Sequence, residues 1–367
     1  MLIVVVGAGE VGSYLAERLS RESHDVVVVE QEPALAHDLS GRLDATIVTG
    51  SGSSPSVLEE AGLADADLLI AVTDRDEVNL VACLLARQHG VPSTVVRVED
   101  RDLRDSVRFA ASGGLRADLV IDPDHETADE IIQLVEFRGV DEVYPMAGGD
   151  VIVLGARIRP GAPLAGRGLA RIAAEHEPHW EFLFGTITRG HETFIPRGDH
   201  VLEAGDHVRV LTRHRARDQI LRLLGIDRER AHRVMVLGGG RTGGLVAAAL
   251  EARGMSVTVV DRDPQRAHEL SMMLPRSVVV CGEVTDGELL LQERVQEADV
   301  VVAATGEDDA NALACSYAKS EGAAWSITVV HRLSLLPLLP TLGIDAIVSP
   351  GRPARTRCCG SCGAASR

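Results

Sequence analysis

A chain of 367 residues is long enough for two to four domains, each burying a core of its own. Hydrophobic residues at 45% and charged residues at 25% place it in the ordinary globular range, and 3% aromatic residues leave little stock for base-stacking platforms. The formal net charge of −17 has the wrong sign for neutralising phosphate backbones or anionic lipid heads, so no nucleic-acid partner is expected.

The chain begins with an apolar stretch, Leu2 to Val6, that runs directly into Gly7-Ala8-Gly9-Glu10-Val11-Gly12. No basic leader precedes it. Further apolar runs at Val26 to Val29, Thr46 to Val48, Leu68 to Val72 and Val95 to Val98 read as buried strands. Helical patterns lie between them near 11–20, 33–42, 54–62 and 76–89. Strands this continuously apolar suit a parallel sheet covered on both faces, a doubly wound unit at 1–140. Asp141 to Leu224 changes texture. Short strands at Val151 to Ile158, Glu181 to Arg189, Glu192 to Pro196 and His207 to Thr212, with helices near 168–176 and 214–224, predict a small α+β domain at 141–225. Asp227 to Arg230 reads as a short charged linker.

The first pattern then returns. Val234 to Leu237 followed by Gly238-Gly239-Gly240-Arg241-Thr242-Gly243 repeats the opening at an offset of 231. The stretch Ala298-Asp299 through Thr305, Asp308, Asn311 and Cys315 repeats Ala66-Asp67 through Thr73, Asp76, Asn79 and Cys83 at an offset of 232. A near-constant offset over more than a hundred residues marks an internal duplication. The fold class is therefore α/β, with two doubly wound Rossmann-like domains, the second at 232–350, separated by the small α+β domain. The closest approach to a membrane span, Leu333 to Ile344, is broken by Pro337, Pro340 and Gly343, so direct membrane insertion is not expected. Without a secretory leader the expected location is cytoplasmic.

Each glycine loop follows an apolar strand, opens a helical pattern and precedes an acid, Glu30 or Asp261, by eighteen residues from its last glycine. This is the dinucleotide-binding arrangement. Gly7 and Gly238 make the tight turn, Gly9 and Gly240 let backbone approach a pyrophosphate, and Gly12 and Gly243 let helix pack on strand. The acids would accept hydrogen bonds from ribose hydroxyls and repel a 2′-phosphate, favouring NAD(H), ADP or ATP over NADP. Thr73 and Thr305, at matching strand ends, read either as helix N-caps or as groups facing the nucleotide. Arg97 is a candidate partner for a phosphate or for a surface acid, and His331 is matched to it in the second copy. Cys83 and Cys315 read as small core residues, and no disulfide framework is apparent. The histidines of the middle domain fit no regular ligand spacing, and no metal site is expected. Nothing in 141–224 offers a general acid or base for a nicotinamide, which favours a sensor over an enzyme.

The Gly7 to Gly12 loop, Thr73…Asp76-Glu77-Val78-Asn79…Ala82-Cys83, Pro160-Gly161-Ala162-Pro163-Leu164 with Gly168-Leu169, Glu203-Ala204-Gly205-Asp206 and the second glycine loop, in this order, resemble the TrkA family. These are the tandem RCK/KTN-domain regulatory subunits of Trk-type potassium uptake systems. The resemblance spans about 1–350. It implies a cytoplasmic, peripheral subunit that binds NAD(H) or ATP/ADP, assembles as a homotetramer and gates a membrane potassium-translocating subunit of the TrkH/TrkG type. It places nucleotide contacts on Gly7, Ala8, Gly9, Glu10, Val11, Glu30, Thr73, Asp74 and Arg97, and on Gly238, Gly239, Gly240, Arg241, Thr242, Asp261 and Thr305. It also implies a second small domain after residue 350, in whose place the chain has a Cys-rich tail, 351–367, read as disordered. The alternative readings are a soluble NAD-dependent oxidoreductase and a regulator of a different ion transporter.

Overall fold

The computed structural model describes residues 1–349 apart from 42, 101, 105–106, 108–116, 147–148, 179, 191, 227–230, 333–334 and 337. The expected charged linker and the Cys-rich tail lie outside the described residues. The chain divides into two compact units, residues 1–126 and 127–349.

The first unit is built on a parallel sheet. Its strands are β1 (Leu2–Val6), β2 (Asp25–Glu30), β3 (Thr46–Thr49), β4 (Leu68–Ala71), β5 (Ser93–Arg97) and β6 (Leu119–Ile121), in the order β3-β2-β1-β4-β5-β6. β1 lies at the centre, with Val4 opposite Val27 of β2 and Leu69 of β4. Every residue of β4 is buried, as a strand covered on both faces requires. The helices α1 (Glu10–Arg21), α2 (Pro33–Ser40), α3 (Pro55–Glu60) and α4 (Asp76–Gln88) supply that cover. α1 forms because Leu15, Ala16 and Leu19 make one fully buried stripe, with Arg18 and Arg21 favourably placed in its last turn. Two apolar clusters, one around Val4, Leu69 and Leu80 and the other around Ile3, Leu15 and Val28, form the core on either side of the sheet.

α5 (Pro123–Glu136) leads into the second unit and was not anticipated from the sequence. There β7 (Glu142–Met146), β8 (Val151–Arg157), β9 (Phe182–Arg189), β10 (Glu192–Phe194) and β11 (His207–Arg213) form an antiparallel sheet in the order β10-β9-β11-β8-β7. α6 (Leu169–His176) and α7 (Arg217–Leu223) accompany it. The expected strands are present, and β7 is an additional edge strand whose Pro145 lies on it without interrupting a central ladder. The chain then rebuilds the first architecture. β12 (Arg233–Leu237), β13 (Ser256–Asp261), β14 (Val278–Cys281), β15 (Val300–Ala303), β16 (Ser326–Val329) and β17 (Ala346–Val348) pair in the order β14-β13-β12-β15-β16-β17. α8 (Arg241–Ala252), α9 (Pro264–Met273), α10 (Gly287–Gln292) and α11 (Asp308–Glu321) lie between them. One continuous apolar cluster joins the antiparallel sheet to a face of this second parallel sheet, running from Ile131 and Leu154 to Val236 and Val302. Arg138 pairs with Asp299 at 3.3 Å and Arg253 with Glu136 at 2.8 Å within the same unit.

No helix among the described residues is long and apolar enough to cross a membrane, and none of them form a cluster able to hold a metal ion.

Candidate nucleotide-binding site

At the carboxyl end of β1 the chain turns sharply. Gly7 has φ +96° and Gly238 has φ +100°, a left-handed conformation that glycine alone adopts without strain. A Cβ at Gly7 would also stand 2.8 Å from Thr73 Cγ2, and one at Gly238 2.7 Å from Thr305 Cγ2. The third glycine of each loop is fixed by contact rather than conformation. A Cβ at Gly12 would lie 1.9 Å from the Gly7 carbonyl oxygen, and one at Gly243 1.9 Å from that of Gly238. The middle glycine is different. Gly9 (φ −61°, ψ −170°) and Gly240 (φ −55°, ψ −164°) lie in ordinary backbone space, and a Cβ on either would meet nothing within 4 Å. The fold needs glycine at 7 and 12. At 9 it leaves an open cradle against the N-terminus of α1, where backbone N–H groups and the helix dipole favour an anion.

Glu30 and Asp261 end β2 and β13 and face these loops. Ala8 N–H donates to Glu30 Oε2 at 2.7 Å and Glu32 N–H to Oε1 at 2.8 Å. Gly239 N–H donates to Asp261 Oδ2 at 2.6 Å and Asp263 N–H to Oδ1 at 2.9 Å. Each carboxylate is thus aimed by two backbone bonds and keeps lone pairs for ribose hydroxyls. Val11, Arg241 and Thr242 occupy the first turns of α1 and α8, and Glu10 opens α1.

Across the loop, Thr73 and Thr305 follow β4 and β15. The N-cap reading is corrected here: the caps of α4 and α11 are Arg75 and Glu307, and neither makes a side-chain capping bond. Each threonine instead accepts from the N–H two residues on, at 3.2 Å in both copies, and donates its hydroxyl to a buried asparagine, Asn79 or Asn311. The hydroxyl proton is therefore engaged within the protein, and the methyl packs on the first glycine. Asp74 is exposed in the same loop. Asp76 and Asp308 act beyond the helix dipole. Asp76 accepts from the N–H groups of Glu99 and Asp100, and Asp308 from those of His331 and Arg332, so each ties its helix to the loop after the neighbouring strand. Burial pushes the Asp308 carboxyl up, but those two N–H groups, with the His331 and Arg332 side chains, outweigh it and hold the group below the ordinary carboxylate range.

Arg97 ends β5 beside this loop and pairs with Glu99, while its buried Nε–H has no hydrogen-bond partner among the described residues. Its counterpart is corrected as well. Asn79 donates to the Arg97 carbonyl at 3.1 Å and Asn311 to the Val329 carbonyl at 3.0 Å, so Val329 stands where Arg97 does and His331 matches Glu99. Asn79 and Asn311, both fully buried, recur at the repeat offset, but sequence reasoning assigned them no role; the structure supplies it.

A pair of Rossmann-fold domains, each with a glycine loop at a helix N-terminus and an acid hydrogen-bonded to it, defines a protein of the tandem Rossmann class. The TrkA-N domain matches residues 3–123 and again 234–350, and the TrkA-C domain matches 153–225. The chain is 34% identical over 352 residues to the Trk system potassium uptake protein TrkA of Halomonas elongata, spanning 95% of this chain and 76% of that one. It is 32% identical over 351 residues to a TrkA homologue of Archaeoglobus fulgidus, spanning 95% and 78%. Among solved structures the GsuK channel superposes with a TM-score of 0.72 at 19% identity, covering 96% of this chain and 62% of that one. The chain belongs to the TrkA family of Trk system potassium uptake proteins.

Proposed function

We propose that this protein is the nucleotide-sensing regulatory subunit of a Trk-type potassium uptake system. NAD(H) or an adenine nucleotide would sit on the Gly7 and Gly238 loops, and its binding would bias a membrane potassium-translocating subunit of the TrkH/TrkG type. The observation that carries this reading is the open cradle at Gly9 and Gly240, where glycine serves no need of the fold and an aimed carboxylate waits beside it. Arg97, at the end of the neighbouring strand β5, has a buried Nε–H without a partner among the described residues. Structures of the GsuK channel with NAD and of GsuK with ADP, which share the fold, make both ligands reasonable. On this reading the functional domains are 1–140, 141–225 and 232–350, the assembly is a homotetramer, and the subunit is peripheral on the cytoplasmic side of its partner. It performs no chemistry on the nucleotide. A ligand can shift a channel only by binding two arrangements of the subunit with different affinity.

The test is potassium flux into vesicles holding the membrane subunit, with and without this chain, across NAD, NADH, ADP and ATP. Nucleotide-dependent flux that disappears with Gly9→Leu or Gly240→Leu supports the reading. Flux indifferent to every nucleotide contradicts it.

A further inference from the structure

The two cradles share their glycines, their acids and their Thr–Asn clasps, yet differ in charge. In the first copy the carbonyl of Ala8 accepts from the Ser13 hydroxyl at 2.5 Å. In the second the equivalent carbonyl, of Gly239, accepts from Arg266 Nε at 2.7 Å, and Arg266 Nη2 reaches the Gly240 carbonyl at 3.4 Å. The exchange is paired. Gly244 replaces Ser13, and a Cβ there would stand 3.0 Å from Arg266 Nη2, while the residue matching Arg266 in the first copy is Leu35. A neutral hydroxyl thus supports the first loop and a guanidinium the second.

The neighbouring positions move in the same direction. Glu10, Gln31 and Asp100 of the first copy become Arg241, Arg262 and Arg332. Four exchanges go the other way, Arg75 to Glu307, Arg97 to Val329, Ser51 to Glu283 and Ser54 to Asp286, and the second copy's arginines meet acids, Arg262 with Glu307 at 2.8 Å, Arg266 with Glu269 at 3.1 Å and Arg332 with Asp309 at 2.7 Å. With Asp74 replaced by Gly306 and Glu99 by His331 as well, the second cradle remains more positive than the first by three formal charges, histidine counted as neutral. The ribose anchor does not change, since Glu30 and Asp261 are held alike. The discrimination therefore falls on phosphate charge. ADP and ATP end in free phosphates, whereas the diphosphate of NAD(H) is esterified at both ends and carries less negative charge.

We propose that the cradles are specialised: the one in residues 234–349 takes a mononucleotide polyphosphate of the ADP/ATP class, and the one in residues 1–126 takes NAD(H). This rests on the reading of both loops as nucleotide sites. One chain would then report adenylate charge and nicotinamide supply through two separate inputs.

The test uses the full chain with one cradle filled at a time. Gly9→Leu leaves the second cradle and Gly240→Leu the first, each substitution entering open space. Calorimetric titration of Gly9→Leu is expected to give ADP and ATP about tenfold tighter than NAD or NADH, a preference that shrinks as salt is raised, because exposed charge is screened. Gly240→Leu is expected to reverse the order. Adding Arg241→Glu or Arg332→Gln to Gly9→Leu is expected to weaken ADP and ATP about fivefold while NAD and NADH stay within about twofold. The same ranking in both cradles overturns the specialisation and leaves the nucleotide reading standing, as does NADPH binding tightest at the second. A folded wild-type chain that binds no nucleotide at all overturns both.

Discussion

Asn79 holds Thr73 by three hydrogen bonds. Its Oδ1 accepts from the Thr73 N–H at 2.9 Å and from the hydroxyl at 2.7 Å, and its Nδ2 donates to the Thr73 carbonyl at 3.0 Å. The remaining Nδ2–H reaches the Arg97 carbonyl, so one fully buried amide ties the ends of β4 and β5 to the first turn of α4. Asn311 does the same for Thr305 and Val329. Asn79→Ala would leave a buried N–H and two carbonyls without partners. A loss of about 2–4 kcal/mol in unfolding free energy is expected from urea titration, and a similar loss for Asn311→Ala.

The three glycines of each loop should separate by experiment. Gly12→Ala drives a methyl to 1.9 Å from a backbone oxygen, and Gly243→Ala does likewise; neither neighbour can give way. Both should cost several kcal/mol or fail to fold. Gly9→Ala and Gly240→Ala should keep the wild-type melting temperature within a few degrees and weaken nucleotide binding at the altered loop about tenfold or more. Thermal unfolding and titration on the same samples distinguish the two outcomes.

That separation also shows what was legible in the sequence. The Gly7 and Gly238 loops, their acids and the repeat offset are local or periodic signals, so the parallel sheets and cradles could be placed from residues alone. α5 and β7 were missed because their burial depends on partners remote in sequence, the antiparallel sheet and the second parallel sheet. The Arg266 support of Gly239 was invisible for a related reason. It requires Gly244 beside it, and no spacing rule links positions 239, 244 and 266. Thr73 was half read: its type suggested a cap, but Asn79, six residues on, took its proton.

Acid should strike the second unit through three aspartates, Asp206 and Asp308 buried and Asp299 half-buried. Burial raises the carboxyls of Asp206, Asp299 and Asp308, but their hydrogen bonds and cations more than offset this and hold all three below the usual range. A depressed folded-state value means the stabilisation is complete above the unfolded carboxylate pKa of about 4 and is lost as pH falls further. Unfolding free energy should therefore drop below about pH 4, and Asp308→Asn should flatten that drop while lowering stability at neutral pH. An unchanged acid limb in Asp308→Asn would argue against the assignment.

The cysteines should differ in reactivity. Cys315 is fully buried, and that burial pushes its thiol up to about 12. Cys83, also buried, is raised for the same first reason, whereas Cys281 is exposed. Brief alkylation at neutral pH followed by peptide mapping should label Cys281 and leave Cys83 and Cys315 unmodified until the chain is unfolded.

The central claim is that each chain carries two working nucleotide sites, and calorimetric titration with NADH and ADP addresses it most directly. The account predicts about two equivalents bound per chain at saturation, with Glu30→Ala and Asp261→Ala each removing about one. NADPH should bind weakly. A folded chain that takes up neither nucleotide, or whose binding is untouched by both substitutions, would contradict it.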